Sequence, residues 1–167
     1  YRDIHASEML AMLVTMVGPK SAYVMMDWDF LEKVTRVNTL IDNQEALIAI
    51  EKGYKLLDSS YELAEKYKRS IKIKDKEFII SVCKGFVSEV GNRLSTDHGA
   101  TAVVLDLRKD FYPGLSLRNE GDTLPHLEPI AQRLGGGGHR NAAGGRADLD
   151  GIYKAMVDVL ECQLNER

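Results

Sequence analysis

The stretch LGGGGHRNAAGGR, residues 134 to 146, departs furthest from the composition of an ordinary globular chain. Four successive glycines lose much backbone entropy on ordering, so they are tolerated where the backbone takes a positive φ or approaches something closely. We expect the following HRNAAGG to begin a helix, whose free N–H groups and positive end favour an anion. The amides of Gly135 to Gly138 could then surround a phosphate, with His139 donating to it and Arg140 adding charge.

The alternative interpretation of this stretch is a flexible glycine connector between helices. A plain linker has no need of the small residues Ala142 to Gly145 directly after His139 and Asn141, so we favour the phosphate loop. Neither GxxxxGK[ST] nor GxGxxG fits the glycines in any register. ATP and dinucleotide cofactors are therefore weak candidates as ligands.

On either side of the glycine stretch, segments whose apolar residues have the spacing of a strand alternate with segments whose apolar residues have the spacing of a helix. Helical spacing of apolar residues predicts helices over 86–94 and 127–134 and beyond Asp150. Period-two patterning predicts four strands, at Ile71 and Ile73, at Phe78 to Val82, at Ala102 to Leu107, and at Leu115 and Leu117. Strands followed by helices indicate an α/β (α+β) domain from residue 70 to residue 167.

Residues 1–69 form a different, helical segment. An apolar face from Met9 to Val17 predicts a helix that stops at Gly18-Pro19, and Ala22 to Met26 could be a strand. A long helix follows from Asn43, with an apolar stripe at Ile50, Tyr54, Leu57, Tyr61 and Ala64. We interpret that helix as a spacer; its stripe would also suit a homodimer interface, although it is short for a coiled coil. The start at Tyr1 without methionine leads us to expect upstream sequence.

Composition narrows the classes of partner. A net charge of −3 and a pI near 5.8 argue against a surface that tracks long nucleic acid, and leave a small anionic ligand. Cys83 and Cys162 suit no metal or redox spacing, so we expect reduced core residues. No apolar run is long enough for a membrane span and no secretory leader precedes Met9, so we expect a cytoplasmic protein without a membrane partner.

Three motifs together resemble a known family. Gly91-Asn92 in EVGNRL, Ser116-Leu117-Arg118 in LSLRN, and Ile130-Ala131 leading into GGGGHRNAAGG are similar, in order and spacing, to the DHH-associated C-terminal domain of the DHH phosphoesterases. That family includes single-strand exonucleases, oligoribonucleases and phosphodiesterases of cyclic dinucleotides or their linear products. The resemblance covers residues 70–147. It implies a small mixed sheet flanked by helices, and makes residues 1–69 the end of an upstream catalytic domain plus a linker helix.

The resemblance also implies a substrate site. In the family the glycine loop and its histidine face the substrate phosphate, which places Gly136, Gly137, Gly138 and His139 at the ligand and makes Arg118 a second anion contact. A guanidinium at a strand end can hold a phosphate bidentately, whereas the alternative for Arg118 is a surface arginine on an edge strand. The full candidate set for phosphate binding is Arg118, Gly135, Gly136, Gly137, Gly138, His139, Arg140 and Asn141.

Other polar and aromatic residues near these motifs carry open alternatives. Asn92 and Asn141 could fix the loop or contact a base or ribose, or could be ordinary helix-end and turn residues. Arg140 points either to ligand or to solvent. Phe111 and Tyr112, in DFYPG, could stack a base, though packing of their turn is the more frequent role of such aromatics.

The family's metal ligands are missing from the sequence. Its hydrolysis uses two divalent metals, usually manganese, held by an N-terminal domain with an Asp-His-His signature. Asp3-Ile4-His5 lacks the paired histidines, and so does Asp97-His98, which we predict to lie in a loop. His5 and His126 suit surface or helix-end roles. We therefore name no catalytic residue and no metal ligand, and expect manganese only in a complete enzyme.

The predicted function is binding of a short oligonucleotide, dinucleotide or other nucleotide phosphate for a metal-dependent phosphodiesterase whose upstream domain performs the cleavage. Whether this chain is itself an enzyme stays open. The alternative is a non-catalytic nucleic-acid-binding or association module similar to the C-terminal domain of alanyl-tRNA synthetases. The acidic balance favours a short ligand over tRNA.

Overall fold

The structure is a computed structural model that describes residues 6–18, 44–108, 114–120, 125–147 and 150. The chain divides into two compact units, Tyr1–Ser59 and Ser60–Arg167. The predicted strand at Ala22 to Met26 and the predicted helix beyond Asp150 lie outside the described residues.

Four helices are described, two of them in the N-terminal part of the chain. They are α1 (Ala6–Val17), α2 (Gln44–Tyr67), α3 (Val87–His98) and α4 (Leu127–Arg133). In the first unit Met12 and Met16 of α1 lie against Gly53 of α2, where a Cβ would stand 2.4 Å from the Met12 sulfur. The missing side chain at Gly53 therefore allows this close contact between the two helices.

A six-stranded sheet forms the centre of the second unit. Its strands are β1 (Arg69–Ile73), β2 (Lys76–Cys83), β3 (Thr101–Asp106), β4 (Gly114–Arg118), β5 (Gly137–Gly138) and β6 (Ala142–Arg146), in the order β1-β2-β3-β4-β6-β5. Only β2 and β3 are parallel, and α3 makes the crossover between them. The α+β class and the mixed sheet flanked by helices are confirmed.

Helices cover both faces of the sheet. On one face, here the α3 face, Ile79, Ala102 and Val104 are buried, and Ser81 Oγ donates to the Ala64 carbonyl of α2 at 2.6 Å. On the other, the α4 face, Leu117 and Ala143 pack against Leu127 and Ala131. The core of the second unit thus consists of two layers, one on each side of a sheet whose strands alternate side chains between them.

Strand β1 forms one edge of the sheet. All its residues are exposed, including Ile71 and Ile73, and Ile80 of the paired strand β2 is exposed as well. Arg69 and Lys72 lie on β1, and Lys74 follows it in the turn with φ 57°. The opposite edge is β5, which is only two residues long.

Two sequence predictions about local structure are wrong, and so is one alternative. The residues after His139 form strand β6 rather than a helix, because they pair with β4 and β5 and because Gly145 admits Leu134 where a Cβ would stand 2.9 Å from the Leu134 Cβ. Asp97 and His98 end α3 rather than lying in a loop, since the left-handed Gly99 (φ 62°) terminates the helix only after them. The alternative role for Arg118 also fails, because β4 lies between β3 and β6 and is not an edge strand.

Candidate functional site

The glycine stretch forms a hairpin in which β5 and β6 are joined at Arg140-Asn141. The hairpin is closed by the His139 amide, which donates to the Ala142 carbonyl at 2.8 Å. The turn is tied to the rest of the unit on both sides, as the Arg140 carbonyl accepts from the Leu127 amide at 2.9 Å and the Asn141 carbonyl from the Asn119 amide at 3.0 Å. Arg140 and Asn141 are therefore fixed at the tip of the hairpin.

The backbone amides of the four glycines differ from the predicted four-amide cradle. Gly135 donates to the Gln132 carbonyl at 3.2 Å and Gly136 to the Ala131 carbonyl at 2.9 Å, so both bonds extend the end of α4. Along an antiparallel pair of strands, hydrogen-bonded residue pairs alternate with pairs that are not hydrogen-bonded. The His139–Ala142 pair is hydrogen-bonded, so Gly137, two residues before His139, also bonds to β6, whereas the Gly138 amide faces away from β6. Gly138 is thus the glycine of this run whose amide N–H points out of the hairpin.

The lack of a side chain has a steric reason at Gly138 but not at Gly137. Gly138 has φ 150°, and a Cβ there would lie 2.5 Å from the Ala142 carbonyl oxygen. A Cβ at Gly137 would meet nothing within 4 Å. Gly137 therefore leaves space above the sheet that no described residue fills.

The register places the candidate residues in rows across the α3 face. Arg118 pairs with Ala142, and Ala142 faces His139 across the hairpin, so these three residues share one row. Cross-strand partners point to the same side of a sheet. Arg118 and His139 therefore lie on the same face, two strands or about 10 Å apart.

The next rows along the same face have few side chains. Ser116, Gly144 and Gly137 form the second row, and Gly114 pairs with Arg146 in the third. Ser116 is 4% exposed, and its hydroxyl has no hydrogen-bond partner among the described residues. Gly144 and Gly137 carry no side chain on this face, so β6 and β5 form a floor of bare backbone beside the buried Ser116.

Arg118 is half-buried, and its hydrogen bonds go to neutral groups. Nη1 donates to the carbonyls of Leu117 at 2.8 Å and Ala143 at 3.1 Å, and Nη2 donates to Ser88 Oγ at 2.6 Å. Within the described part of the chain no carboxylate forms an ion pair with it, although Glu89 acts on it from a longer distance. Burial lowers the pKa of the Arg118 guanidinium, and the field of Glu89 opposes that shift only in part. Arg118 is thus a fixed, partly desolvated cation that no carboxylate of the described ranges contacts.

A cavity of about 300 Å³ opens beside this floor. Its walls include Val87, where α3 begins after the left-handed pair Gly85 (φ 99°) and Phe86 (φ 52°). The remaining lining residues are Asp106, Gly114, Leu115, Gly135, Gly136, Gly144, Gly145 and Arg146. The cavity therefore brings the glycine stretch together with the third row of the α3 face.

The acidic residue in the cavity wall, Asp106, is paired with an arginine. Asp106 is buried, and its carboxylate accepts from Arg108 Nη2 at 3.1 Å, Arg108 Nε at 3.2 Å and the Arg108 amide at 3.0 Å. Burial would raise the pKa of Asp106, but these bonds, with one from the Gly85 amide, hold it below its usual value. Next to it Cys83 is buried and free, as predicted for a core cysteine, and burial raises the pKa of its thiol to about 11.

Asp97 and His98 belong to a polar cluster between the ends of α2 and α3. Tyr61 donates to Asp97 Oδ2 at 2.5 Å, Lys68 Nζ donates to Glu65 Oε2 at 2.5 Å, and His98 Nε2 lies 2.7 Å from Glu65 Oε1. Burial and its two acidic neighbours raise the pKa of Tyr61. These contacts give Asp97 and His98 a role in holding the helices together.

The described residues contain no group of three or more His, Cys, Asp and Glu side chains that could hold a metal ion. The two manganese ions of the resemblance therefore find no set of ligands among these residues. None of the helices in the described ranges is long and apolar enough to cross a bilayer.

The remaining sequence candidates are spread out or undescribed. Asn92 is exposed on α3, and His126 is the exposed N-cap residue of α4. Phe111, Tyr112, Cys162 and His5 lie outside the described residues. Sequence reasoning missed Ser88, which holds Arg118, and Arg146, which lines the cavity. The period-two spacing of residues 142, 144 and 146 would have grouped Arg146 with the glycine floor if the segment had been interpreted as a strand.

Comparison with known proteins gives a likeness of fold. No protein-family model and no curated protein matches the chain. Among solved structures it is similar to PggH from Vibrio cholerae, described as a pGpG-specific phosphodiesterase, with a TM-score of 0.59, 12% sequence identity, and coverage of 96% of this chain and 62% of that one. An uncharacterised protein from Helicobacter pylori G27 has a TM-score of 0.38 at 19% identity, covering 86% of this chain and 44% of that one. The chain thus spans less than two thirds of the PggH chain.

Proposed function

We propose that this chain binds the phosphate of a short nucleotide ligand on the α3 face of the glycine hairpin. It does so as the substrate-binding part of a DHH-type, metal-dependent phosphodiesterase, with cleavage performed by a manganese-bearing upstream domain. The ligand contacts are Arg118 and His139, with Gly137 and Gly138 beneath the phosphate and Arg140 and Asn141 at the hairpin tip. The domain that supplies the site extends from the end of α2 to the end of the chain.

The observation that carries the proposal is the state of Arg118. A half-buried guanidinium bonded to two carbonyls and a hydroxyl has lost part of its hydration, and among the described residues it has no ion pair in return. Charge–charge attraction is stronger in such a partly desolvated site than in water. A phosphate is the ligand that restores the balance, because it offers negative charge and several acceptor oxygens to one guanidinium.

The surroundings of Arg118 favour a phosphate carried on a flat, extended ligand. His139 is exposed in the same row, and the next row offers bare backbone at Gly144 and Gly137. Glycine lets a ligand approach the main chain closely. The name of PggH, a pGpG-specific phosphodiesterase, supports the choice of a short phosphorylated nucleotide as the ligand class.

The proposal is tested by titrating the full chain with a 5′-phosphorylated dinucleotide while following backbone amide NMR signals. We expect shifts centred on residues 137–141 and Arg118. In His139→Ala and Gly137→Ala the dissociation constant should rise about tenfold, because the first loses a charge-assisted donor and the second places a methyl group on the floor. Gly137→Ala is a useful variant because its new Cβ meets nothing within 4 Å in the free protein.

Arg133→Ala is the matched control, since this exposed arginine lies on α4, which packs on the opposite face of the sheet. It should bind like the unmodified chain. Equal binding by all four proteins would contradict the site, as would shifts confined to another surface. Absence of any shift at millimolar ligand would remove the proposed function and return the association module as the better explanation.

A further inference from the structure

We infer that the β1 edge, meaning strand β1 with the turn residue Lys74, is a docking site for an extended, acidic segment of a partner protein. The segment adds to the sheet as a further strand in which acidic and apolar side chains alternate. The inference is independent of the proposed phosphate site, which lies at β5 and β6, on the opposite side of the strand order.

The first observation is the unpaired backbone of β1. This strand is the outer member of the sheet, it pairs with β2 on one side, and all its residues are exposed. In an edge strand every second residue directs its N–H and C=O away from the sheet, and an added strand bonds to these groups. Strand β1 has five residues and the opposite edge strand β5 has two, so β1 is the edge long enough to receive a strand.

The second observation is an apolar row on the α4 face beside this edge. Ile71 and Ile73 lie on the side of the sheet that continues, through β2 and β3, to Leu117. Their side chains are 37% and 53% exposed, and Ile80 beside them on β2 is 43% exposed. The three isoleucines therefore form apolar surface that a partner would remove from water.

The third observation is the charge of the same segment. Residues 66–76 contain six basic side chains and one acidic side chain, although the whole chain has a net charge of −3. Within the described ranges no carboxylate forms an ion pair with Arg69, Lys72 or Lys74, and Glu77, which is opposite Lys72, forms none either. The β1 edge is thus positively charged and attracts an acidic partner.

The alternation of side chains along β1 sets the pattern of the partner. Lys72 points to the α3 face, because its cross-strand neighbour Glu77 lies on the same side of β2 as the buried Ile79. Ile71 and Ile73 point to the α4 face. An added strand alternates in the same way, so it carries acidic side chains beside Lys72 and apolar side chains beside the isoleucines.

Two other occupants fit these observations less well. A second copy would place its own basic β1 edge against this one, and like charges opposite each other are destabilising. Single-stranded nucleic acid would meet the basic side chains but would leave the isoleucines and the outward backbone groups of β1 unused. An acidic and apolar strand uses all three features.

The test titrates the full chain with a blocked peptide of about seven residues in which glutamate alternates with valine, long enough to span β1. We expect amide NMR shifts centred on residues 69–73, with slower hydrogen exchange of the outward amides of β1 because they become hydrogen-bonded. One control peptide has lysine in place of glutamate, and another has its glutamates and valines in two separate blocks. Both should bind at least about tenfold more weakly.

Variants of the chain separate the β1 edge from overall charge. Lys72→Gln combined with Lys74→Gln should weaken peptide binding about tenfold, because two attractive charges are lost. The matched control, Lys52→Gln with Lys55→Gln, removes the same number of charges from exposed positions of α2 and should bind like the unmodified chain. Ile73→Ser should weaken binding about threefold through the lost apolar contact.

The inference is overturned if either control peptide binds as tightly as the alternating one, or if the lysine variants bind alike. It is equally wrong if a single-stranded oligonucleotide or vesicles of anionic lipid shift the amides of β1 while the peptide does not. Absence of shifts at millimolar peptide has the same meaning. None of these outcomes bears on the phosphate site, which its own titration tests.

Discussion

Adjacent glycines in this protein meet different steric demands. Gly138 takes a backbone conformation that residues with a Cβ rarely adopt, and its Cβ would collide with the main chain of β6. Gly137 has neither constraint. We therefore expect Gly138→Ala to lower the free energy of unfolding by about 2 kcal/mol or more and Gly137→Ala to change it by less than about 1 kcal/mol.

Urea denaturation of the two variants beside the unmodified chain measures this difference. The pair controls for composition, because each variant adds one methyl group to β5. Similar losses in both would show that the hairpin is governed by strand propensity rather than by the conformation of Gly138 and its contact with β6.

At this scale the sequence predicted where glycine matters but not which glycine does what. Because residues 135–138 are all glycine, the sequence does not tell which of them has a left-handed backbone conformation, which contacts β6 and which faces open space. Arg118 was proposed as a site residue from its motif, whereas Ser88, its hydrogen-bond partner, lies 30 positions away in the chain and is brought to it only by the packing of α3 on β4.

The contact between α2 and α3 depends on the ionisation of Glu65. Burial would raise the pKa of this carboxyl, but hydrogen bonds from Lys68 and His98 outweigh burial and lower the pKa below its ordinary value of 4.5. A carboxyl whose pKa falls on folding adds stability above its unfolded pKa. That stability is lost as the pH drops through the lower, folded value.

Glu65→Gln should therefore cost about 1 kcal/mol of unfolding free energy at pH 7, a figure reduced for the 30% exposure of the side chain, and progressively less as the pH falls below 4.5. Thermal or urea unfolding at several pH values measures the change. Glu51→Gln on the same helix is the control, because its pair with Lys55 is exposed and should contribute little. A cost for Glu65→Gln that is independent of pH would assign the effect to packing instead of charge.

Element by element, the strongly periodic segments were predictable and the hairpin was not. Helices α2 and α3 and strands β1 to β4 follow from repeated apolar spacing. Strand β6 has Ala-Ala-Gly-Gly-Arg, which has no apolar period, and it is a strand only because β4 offers an antiparallel edge. Such pairing is a tertiary effect, and it overrides the local signal that favoured a helix start.

The division of the whole chain falls within a helix. The two units meet between Ser59 and Ser60, inside α2, whereas the sequence suggested a change of domain at residue 70, where the period switches. The end of α2 belongs with the sheet because Tyr61 and Ala64 are buried and Ser81 bonds to the Ala64 carbonyl. A change in the spacing of apolar residues shows where a helix or strand ends. The extent of a domain depends instead on which residues pack against one another.

Two fragments test this difference. We expect residues 60–167 to unfold cooperatively and residues 70–167 to be less stable by several kcal/mol, about 2–4, because the shorter fragment loses the buried Tyr61 and Ala64 and leaves Ser81 without its acceptor. Circular dichroism during denaturation measures both. Equal stability of the two fragments would place the domain boundary at residue 70, as the sequence alone suggested.

The two edges of the sheet are protected against strand addition between copies of the chain by different means. Strand β5 is too short to act as a template, but β1 exposes a full strand that includes Ile71 and Ile73. Along that edge lie Arg69, Lys72 and Lys74, and we expect the repulsion between their like charges to disfavour strand pairing between copies. Concentrated salt screens this repulsion, so we expect the shelf life of the purified protein to shorten with ionic strength through three basic side chains remote from the proposed phosphate site.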